Sequence, residues 1–263
     1  MARVTDLERA RALVSGAESI VILTGAGVSA ESGVPTFRGP GGLWKSFRPE
    51  ELATPGAFAK DPRLVWEWYG WRRELIAECV PNPGHEALAK LAFAKAGRCT
   101  IVTQNVDGLH HVAARSVAKE IGAPSPEPAY PLEVHGAIHR DRCQACHHLD
   151  PQPAPVDAAT LFTLPRCPQC GDLMRPDVVW FGEALDADVL EASLHAAREA
   201  DVCLVVGTSA LVYPAASVPD VTASMGGHVI EVNLTATPLT GSADVSLQGP
   251  AGEILPQLLD GAS

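Results

Sequence analysis

The stretch Ile20-Val21-Ile22-Leu23, followed at once by Thr24-Gly25-Ala26-Gly27, constrains the chain more than any other. Four apolar residues without alternation suit a central parallel strand buried on both faces. Gly25 and Gly27 permit a sharp turn and let backbone N–H groups approach a phosphate with no Cβ in the way. The pattern predicts a nucleotide-diphosphate cradle. It does not match the dinucleotide fingerprint of dehydrogenases, which runs G-x-G-x-x-G into a helix with a distal acid for the ribose. Here the third glycine, Gly33, comes late, and Pro35 with Gly39 to Gly42 predicts a long loop in place of a helix.

The rest of the chain reads as alternating helices and strands. A short amphipathic helix over 5–17 feeds the first strand. Thr54-Pro55 and Asp61-Pro62 are helix starts, a capping residue followed by proline at the first helical position. The second of these helices runs from Pro62 to about Val80, and its Val65, Tyr69, Arg72 and Ile76 share a face. Further helices are expected over Glu86 to Lys95, Asp186 to Ala200 and Ala251 to Leu259. Strands are expected at Cys99 to Thr103, at Val202 to Val206 capped by Gly207-Thr208-Ser209, and at Val229 to Val232 ending in Asn233. Polar groups at such strand ends, including Gln104, Asn105 and Asp107, lie where open α/β sheets bind ligands.

Two knuckles, Cys143-x-x-Cys146 and Cys167-x-x-Cys170, stand 20 residues apart. Each turns two thiolates toward one point, so together they predict a closed tetrahedral structural zinc site. A disulfide pair is the alternative, disfavoured in a reducing compartment. The segment between the knuckles is too short and polar to form a core, so metal must hold it.

Composition narrows the classes. The 263 residues are 46% hydrophobic and 19% charged, as expected of a globular protein of one or two domains. A net charge of −11 disfavours a nucleic-acid groove. No run approaches the length needed to span a bilayer, and the first residues lack signal or transit character. A cytosolic setting fits.

Thr24-Gly25-Ala26-Gly27-Val28-Ser29-Ala30 through Pro35-Thr36-Phe37-Arg38-Gly39 resembles the NAD-binding signature of the sirtuins. Thr103-Gln104-Asn105-Val106-Asp107-Gly108-Leu109-His110 resembles their second motif, Leu132 to Gly136 their strand ending in a catalytic His-Gly, and Arg175 to Glu183 their substrate-pairing strand. The resemblance covers about residues 18–259. It implies an α/β fold, a Rossmann-like parallel sheet with helices on both faces, plus a small domain made of a zinc-ribbon module and a helical insertion. On that basis 1–46, 81–138 and 176–263 form the NAD-binding domain, 47–80 the helical insertion and 139–175 the zinc-binding module.

The same resemblance implies NAD-dependent deacylation of protein lysines, the acyl oxygen attacking the ribose carbon as nicotinamide leaves. It implies that His135 and Asn105 are catalytic. The cofactor residues it implies are Gly25, Ala26, Gly27, Ser29, Phe37, Arg38, Gln104, Asn105, Asp107, Gly207, Thr208, Ser209, Asn233 and Ala251. Ala251-Gly252 is expected to offer free backbone N–H groups to the adenine side. Acylated protein would lie as an extended strand along Val179, Phe181 and Gly182.

Arg72 alone reads as a surface arginine whose stem lies along aromatics. With Tyr69 one turn away and small Ala53 upstream, the stretch resembles the sirtuin branch that removes succinyl and malonyl groups, where these three would form the acyl pocket. Arg115 to Pro131 is longer than the family pattern and is expected to be a surface loop near the cleft. His110, His111 and His139 remain structural or unassigned. A deacetylase-dominant enzyme, a mono-ADP-ribosyltransferase and a non-catalytic NAD or ADP-ribose sensor remain rival readings.

Overall fold

In a computed structural model, residues 5–35 and 48–261 are described. The chain begins with α1 (Asp6–Gly16), β1 (Ile20–Thr24) and the short helix α2 (Ala26–Ala30), then α3 (Pro49–Leu52), α4 (Pro55–Lys60), α5 (Pro62–Ala77) and α6 (Pro83–Ala94). Next come β2 (Cys99–Thr103), α7 (Leu109–Ile121), β3 (Leu132–Glu133), β4 (Gly136–Cys143), β5 (Leu149–Asp150) and β6 (Met174–Val178). The chain closes with α8 (Ala187–Glu199), β7 (Val202–Val206), α9 (Ser217–Ser224), β8 (His228–Asn233), β9 (Val245–Gln248) and α10 (Ala251–Leu259).

Helix starts follow from side-chain caps that occupy otherwise orphaned N–H groups. Thr54 Oγ1 accepts from Ala57 N at 3.0 Å, Asp61 Oδ1 from Leu64 N at 3.2 Å and Asn82 Oδ1 from Gly84 N at 2.9 Å. In all three helices proline stands at the start, where its missing N–H costs nothing.

One sheet has the order β3-β2-β1-β7-β8-β9 with every pairing parallel. All five residues of β1 are buried, because helices cover both faces. Ile20 and Ile22 join Val202, Leu204 and Val206 in one core, while Val21 and Leu23 join Cys203 and Val205 in the other. The smaller sheet, β5-β4-β6, is antiparallel. A third core under it unites Val65, Trp66, Trp68 and Tyr69 of α5 with Ile138, Met174 and Trp180. Arg73 ties α5 to β4 by donating to Ile138 O at 2.6 Å and Asp141 Oδ1 at 2.6 Å.

Chain order reverses between β1 and β7, so their carboxyl ends open a crevice of the kind where α/β sheets bind nucleotides. The turns leaving the two strands run together there. A Cβ on Gly27 would lie 2.7 Å from Gly207 Cα, and one on Gly207, whose φ is +59°, would lie 2.3 Å from Val28 N. These glycines therefore serve close backbone approach.

Three expectations change. A five-residue helix, α2, starts directly after Gly25 and takes in Gly27, closed by Ser32 N donating to Ser29 O, where a loop was expected. Helix α5 stops at Ala77, short of Val80. The segment from Arg115 to Pro131 is not a surface loop: α7 continues to Ile121, and the rest, with one 3-10 turn at Glu127–Ala129, buries Ala129 in the core beside α6. Its proline density reflects that turn, and Gly122 at φ +70° ends the helix before it.

Gly27→Ala should lower stability by about 1–3 kcal/mol, since the neighbouring atoms are backbone and cannot rotate away. Thermal denaturation should show a midpoint lowered by roughly 2–10 °C; an unchanged midpoint would contradict the close contact.

Candidate active site

The crevice is built by hydrogen bonds between strand ends. Gln104, after β2, donates from Nε2 to Thr208 Oγ1 at 3.0 Å, and Asn233, ending β8, donates to Thr208 O at 2.8 Å. Gly25, Gly27, Gln104, Thr208 and Asn233 thus meet at one place, with half-buried Ala26 and Ser209 beside them. The donors differ from expectation. Gly25 N donates to Val206 O and Gly27 N to Gly207 O at 2.8 Å, so these two N–H groups hold the turns together and do not point at a ligand. At the start of α10, Gly252 N donates to Glu31 Oε1 at 2.9 Å, so it is not free as the sequence suggested, and Ala251 before it is buried. Phe37 and Arg38 lie outside the described residues.

Below the crevice floor runs a buried polar chain whose direction can be read from its donors. Asn82 N donates to His85 Nδ1 at 3.3 Å, so the His85 proton is on Nε2 and goes to Ser29 Oγ at 3.2 Å. Asn105 Nδ2 also donates to Ser29 Oγ, at 3.1 Å. With both donors arriving, the Ser29 hydroxyl sends its own proton to Asp107, a bond that helps keep that carboxylate charged. Burial pulls the other way and wins, raising the Asp107 pKa despite the Leu109 N–H, Ser29 and Arg72. Burial also drops the His85 pKa to about 4, so it is a neutral donor near pH 7.

Behind this chain, Thr24 Oγ1 donates to Thr103 Oγ1 at 2.8 Å and takes a bond from His110 Nε2 at 2.9 Å. Burial holds the His110 pKa well below its usual value. Ser29, Asn105 and Asp107 are therefore brought together as the sequence indicated. His85, Thr24, Thr103 and His110 were not foreseen in this role; for His85, its place three residues after the Asn82 cap was the available signal.

His135 lies just past β3, half-buried. Its Nδ1 is 3.0 Å from Gln104 O, a pure acceptor, so Nδ1 carries the proton and Nε2 keeps its lone pair. Burial lowers its pKa, partly offset by the bond to Gln104. Gln104 thus links imidazole and nucleotide crevice through its backbone oxygen and its side-chain amide.

The Tyr69 and Arg72 face of α5 points inward. Tyr69 Oη accepts the Trp180 Nε1 proton at 2.9 Å, and burial pushes the phenol pKa up to about 12. Arg72 lies over the Trp68 ring at 5.1 Å, and its guanidinium interacts with Tyr69 and Asp107, which oppose the lowering of its pKa by burial. Ala53 is buried in the same core as Tyr69.

The segment after β6 differs from expectation in its donors. Val179 N donates to His135 O and Phe181 N to Ala53 O, both at 2.9 Å, so these N–H groups are engaged within the chain. Gly182 is exposed at φ +88°.

The Sγ atoms of Cys143, Cys146, Cys167 and Cys170 lie within 4.8 Å of one another, and all four cysteines are free thiols without disulfides. Zinc with tetrahedral Zn–S bonds of about 2.3 Å needs sulfurs about 3.8 Å apart; the 3.4 Å Cys143–Cys170 and 3.5 Å Cys146–Cys167 separations fit. Four thiolates leave no open position for chemistry. Elemental analysis should find one zinc per chain, and Cys167→Ser should lower metal content and melt the β4–β6 module; full stability without metal would contradict a structural ion.

A six-stranded nucleotide-type sheet carrying a four-cysteine module defines the class, and comparison with known proteins gives the family. Residues 25–214 match the Sir2 family model. A Pyrobaculum aerophilum protein named NAD-dependent protein deacylase 2 is 47% identical over 94% of this chain and 92% of its own length. The zebrafish mitochondrial NAD-dependent protein deacylase sirtuin-5 is 42% identical over 97% of this chain and 87% of its own length. A crystal structure of a Sir2 homologue in complex with NAD superposes with a TM-score of 0.84 at 43% identity, covering 97% and 93% of the two chains. The chain belongs to the Sir2 family. No helix among the described residues is long and apolar enough to cross a membrane.

Proposed function

We propose that the protein is an NAD-dependent protein-lysine deacylase that moves the acyl group to ADP-ribose and releases nicotinamide. Membership of the family and relatives named for this activity support the reading. The observation that carries it is the His135 tautomer: Nδ1–H is held by the Gln104 carbonyl, which reserves Nε2 as a base beside the crevice. NAD, as co-substrate, supplies an electrophilic ribose carbon and its leaving group.

The chain's own groups then have separate tasks. Ser29, Asn105 and Asp107 hold the carboxamide of the leaving nicotinamide through the donor chain that starts at His85. Ala26, Gln104, Thr208, Ser209, Asn233 and Ala251 line the path of the dinucleotide, with Gly25, Gly27 and Gly207 allowing its floor to be thin. Phe37 shields the ribose from water and Arg38 meets the diphosphate. His135 takes a ribose hydroxyl proton, a general-base contribution on the order of 10²–10⁴ in rate. Zinc holds the small module without joining the chemistry.

Acylated protein lies as an extended segment along 178–183, pairing through carbonyl oxygens and at Gly182, since the Val179 and Phe181 donors are engaged. Ala53 leaves room for the acyl chain, and Tyr69 and Arg72 bind a carboxylate at its end. The preferred substrates are therefore succinyl- and malonyl-lysine, with acetyl-lysine weaker. Two charge-assisted bonds of roughly 1.5–3 kcal/mol each give discrimination on the order of 100-fold or more.

His135→Ala should abolish turnover while NAD binding by calorimetry persists. In the intact enzyme, kcat/KM should fall on acidification with a midpoint below the usual 6.5, because burial lowers the His135 pKa and the neutral base is lost only below that value. Retained turnover in the variant, or an acid limb above 6.5, would remove His135 from the chemistry. Arg72→Met should cut kcat/KM for succinyl peptides by roughly 100-fold and leave acetyl peptides far less affected. An unchanged ratio of the two would refute the carboxylate pocket.

A further inference from the structure

Trp180 sits within the 178–183 segment along which acylated protein lies, and its indole has no task in the reading above, yet it is among the most firmly held side chains of the protein. It is 1% exposed, with its ring 5.3 Å from that of Phe58 and the Arg175 guanidinium 3.3 Å above its centroid. Arg175, itself 2% exposed, donates to both Glu183 oxygens, from Nη1 to Oε1 at 2.5 Å and from Nη2 to Oε2 at 2.8 Å. Glu183 Oε2 in turn accepts from the Trp180 backbone N at 2.8 Å. The indole is thus braced by the Arg175–Glu183 ion pair over its ring, by the tilted Phe58 ring beside it and by a hydrogen bond at its own backbone.

The one polar atom of that indole is spent on Tyr69. Indole nitrogen only donates, so the 2.9 Å contact makes Tyr69 Oη the acceptor. The single phenolic hydrogen must then point away from Trp180. Tyr69 stays protonated through the physiological range, as burial raises its pKa to about 12. Its O–H is on the α5 face that also carries Arg72, one turn on, whose guanidinium only donates. Two donors held on one face select for an acceptor between them.

We propose that Trp180 is a positioning residue for acyl selection: its indole N–H fixes the Tyr69 hydroxyl as a donor directed, with Arg72, at the carboxylate of an acidic acyl group. This rests on the acyl-pocket reading and names a residue that sets its strength. Without the indole donor, the phenol rotates and can itself accept, and the pocket loses a preset bond.

The test is a double-mutant cycle of Trp180→Phe and Tyr69→Phe, with KM and kcat measured on succinyl- and acetyl-lysine peptides. Each single change should raise KM for the succinyl peptide roughly three- to tenfold, with a much smaller effect on kcat and on the acetyl peptide. The double variant should be no worse than Tyr69→Phe alone, because Trp180 acts through that hydroxyl. Should Trp180→Phe not fold, replacing the indole at 180 by benzothiophene keeps both fused rings and removes only the N–H, with the same expectation. Losses that multiply in the double variant, or equal losses on both peptides, overturn the proposal. A wild type without succinyl preference overturns the acyl pocket and this inference together, whereas a preference insensitive to Trp180 overturns the inference alone.

Discussion

Two backbone turns, leaving β1 at Gly25–Gly27 and β7 at Gly207, pass so closely that neither tolerates a Cβ. That contact sits where strand order reverses, which is the only place in a parallel sheet where neighbouring crossovers diverge and leave an opening. The opening is floored by these two turns together with the Thr208 side chain. Gln104, Thr208 and Asn233 are fixed around it because their side chains bond to the same turns.

Polar groups under this floor are arranged by donor direction as much as by position. Two of the buried imidazoles have their proton assigned by a partner that can only accept or only donate: the Gln104 carbonyl for His135, the Asn82 amide for His85. Burial keeps both rings uncharged near neutrality, which spares the interior an unpaired cation. At Tyr69 the same device recurs with a different donor, the Trp180 indole on the phenol oxygen.

Much of this was legible in the sequence because the signals were local. The apolar runs at Ile20 and Val202 and the segment Cys99 to Thr103 became three neighbouring strands of the large sheet, and Thr54 and Asp61 capped their helices as their types predict. The paired knuckles placed four sulfurs together. What stayed hidden depended on tertiary partners. No pattern announces that Gly25, Gly27, Val179 and Phe181 give their N–H groups to neighbouring segments, or that Glu31 reaches Gly252 across the fold. The short strand β9 and helix α9 carry too few residues for a clear period. Proline density after Arg115 suggested a loop, but Leu109, Ala113 and Val117 stand four apart and bury a helix face that outweighs it.

In the proposed reaction one crevice brings a ribose, a leaving nicotinamide, a neutral imidazole and an acylated amine together. Mass spectrometry of a reaction containing the protein, NAD and a succinyl-lysine peptide tests it most directly. The expected products are free nicotinamide, unmodified lysine peptide and O-succinyl-ADP-ribose in equal amounts. ADP-ribosylated protein, or NAD left whole beside every acylated peptide offered, would contradict it.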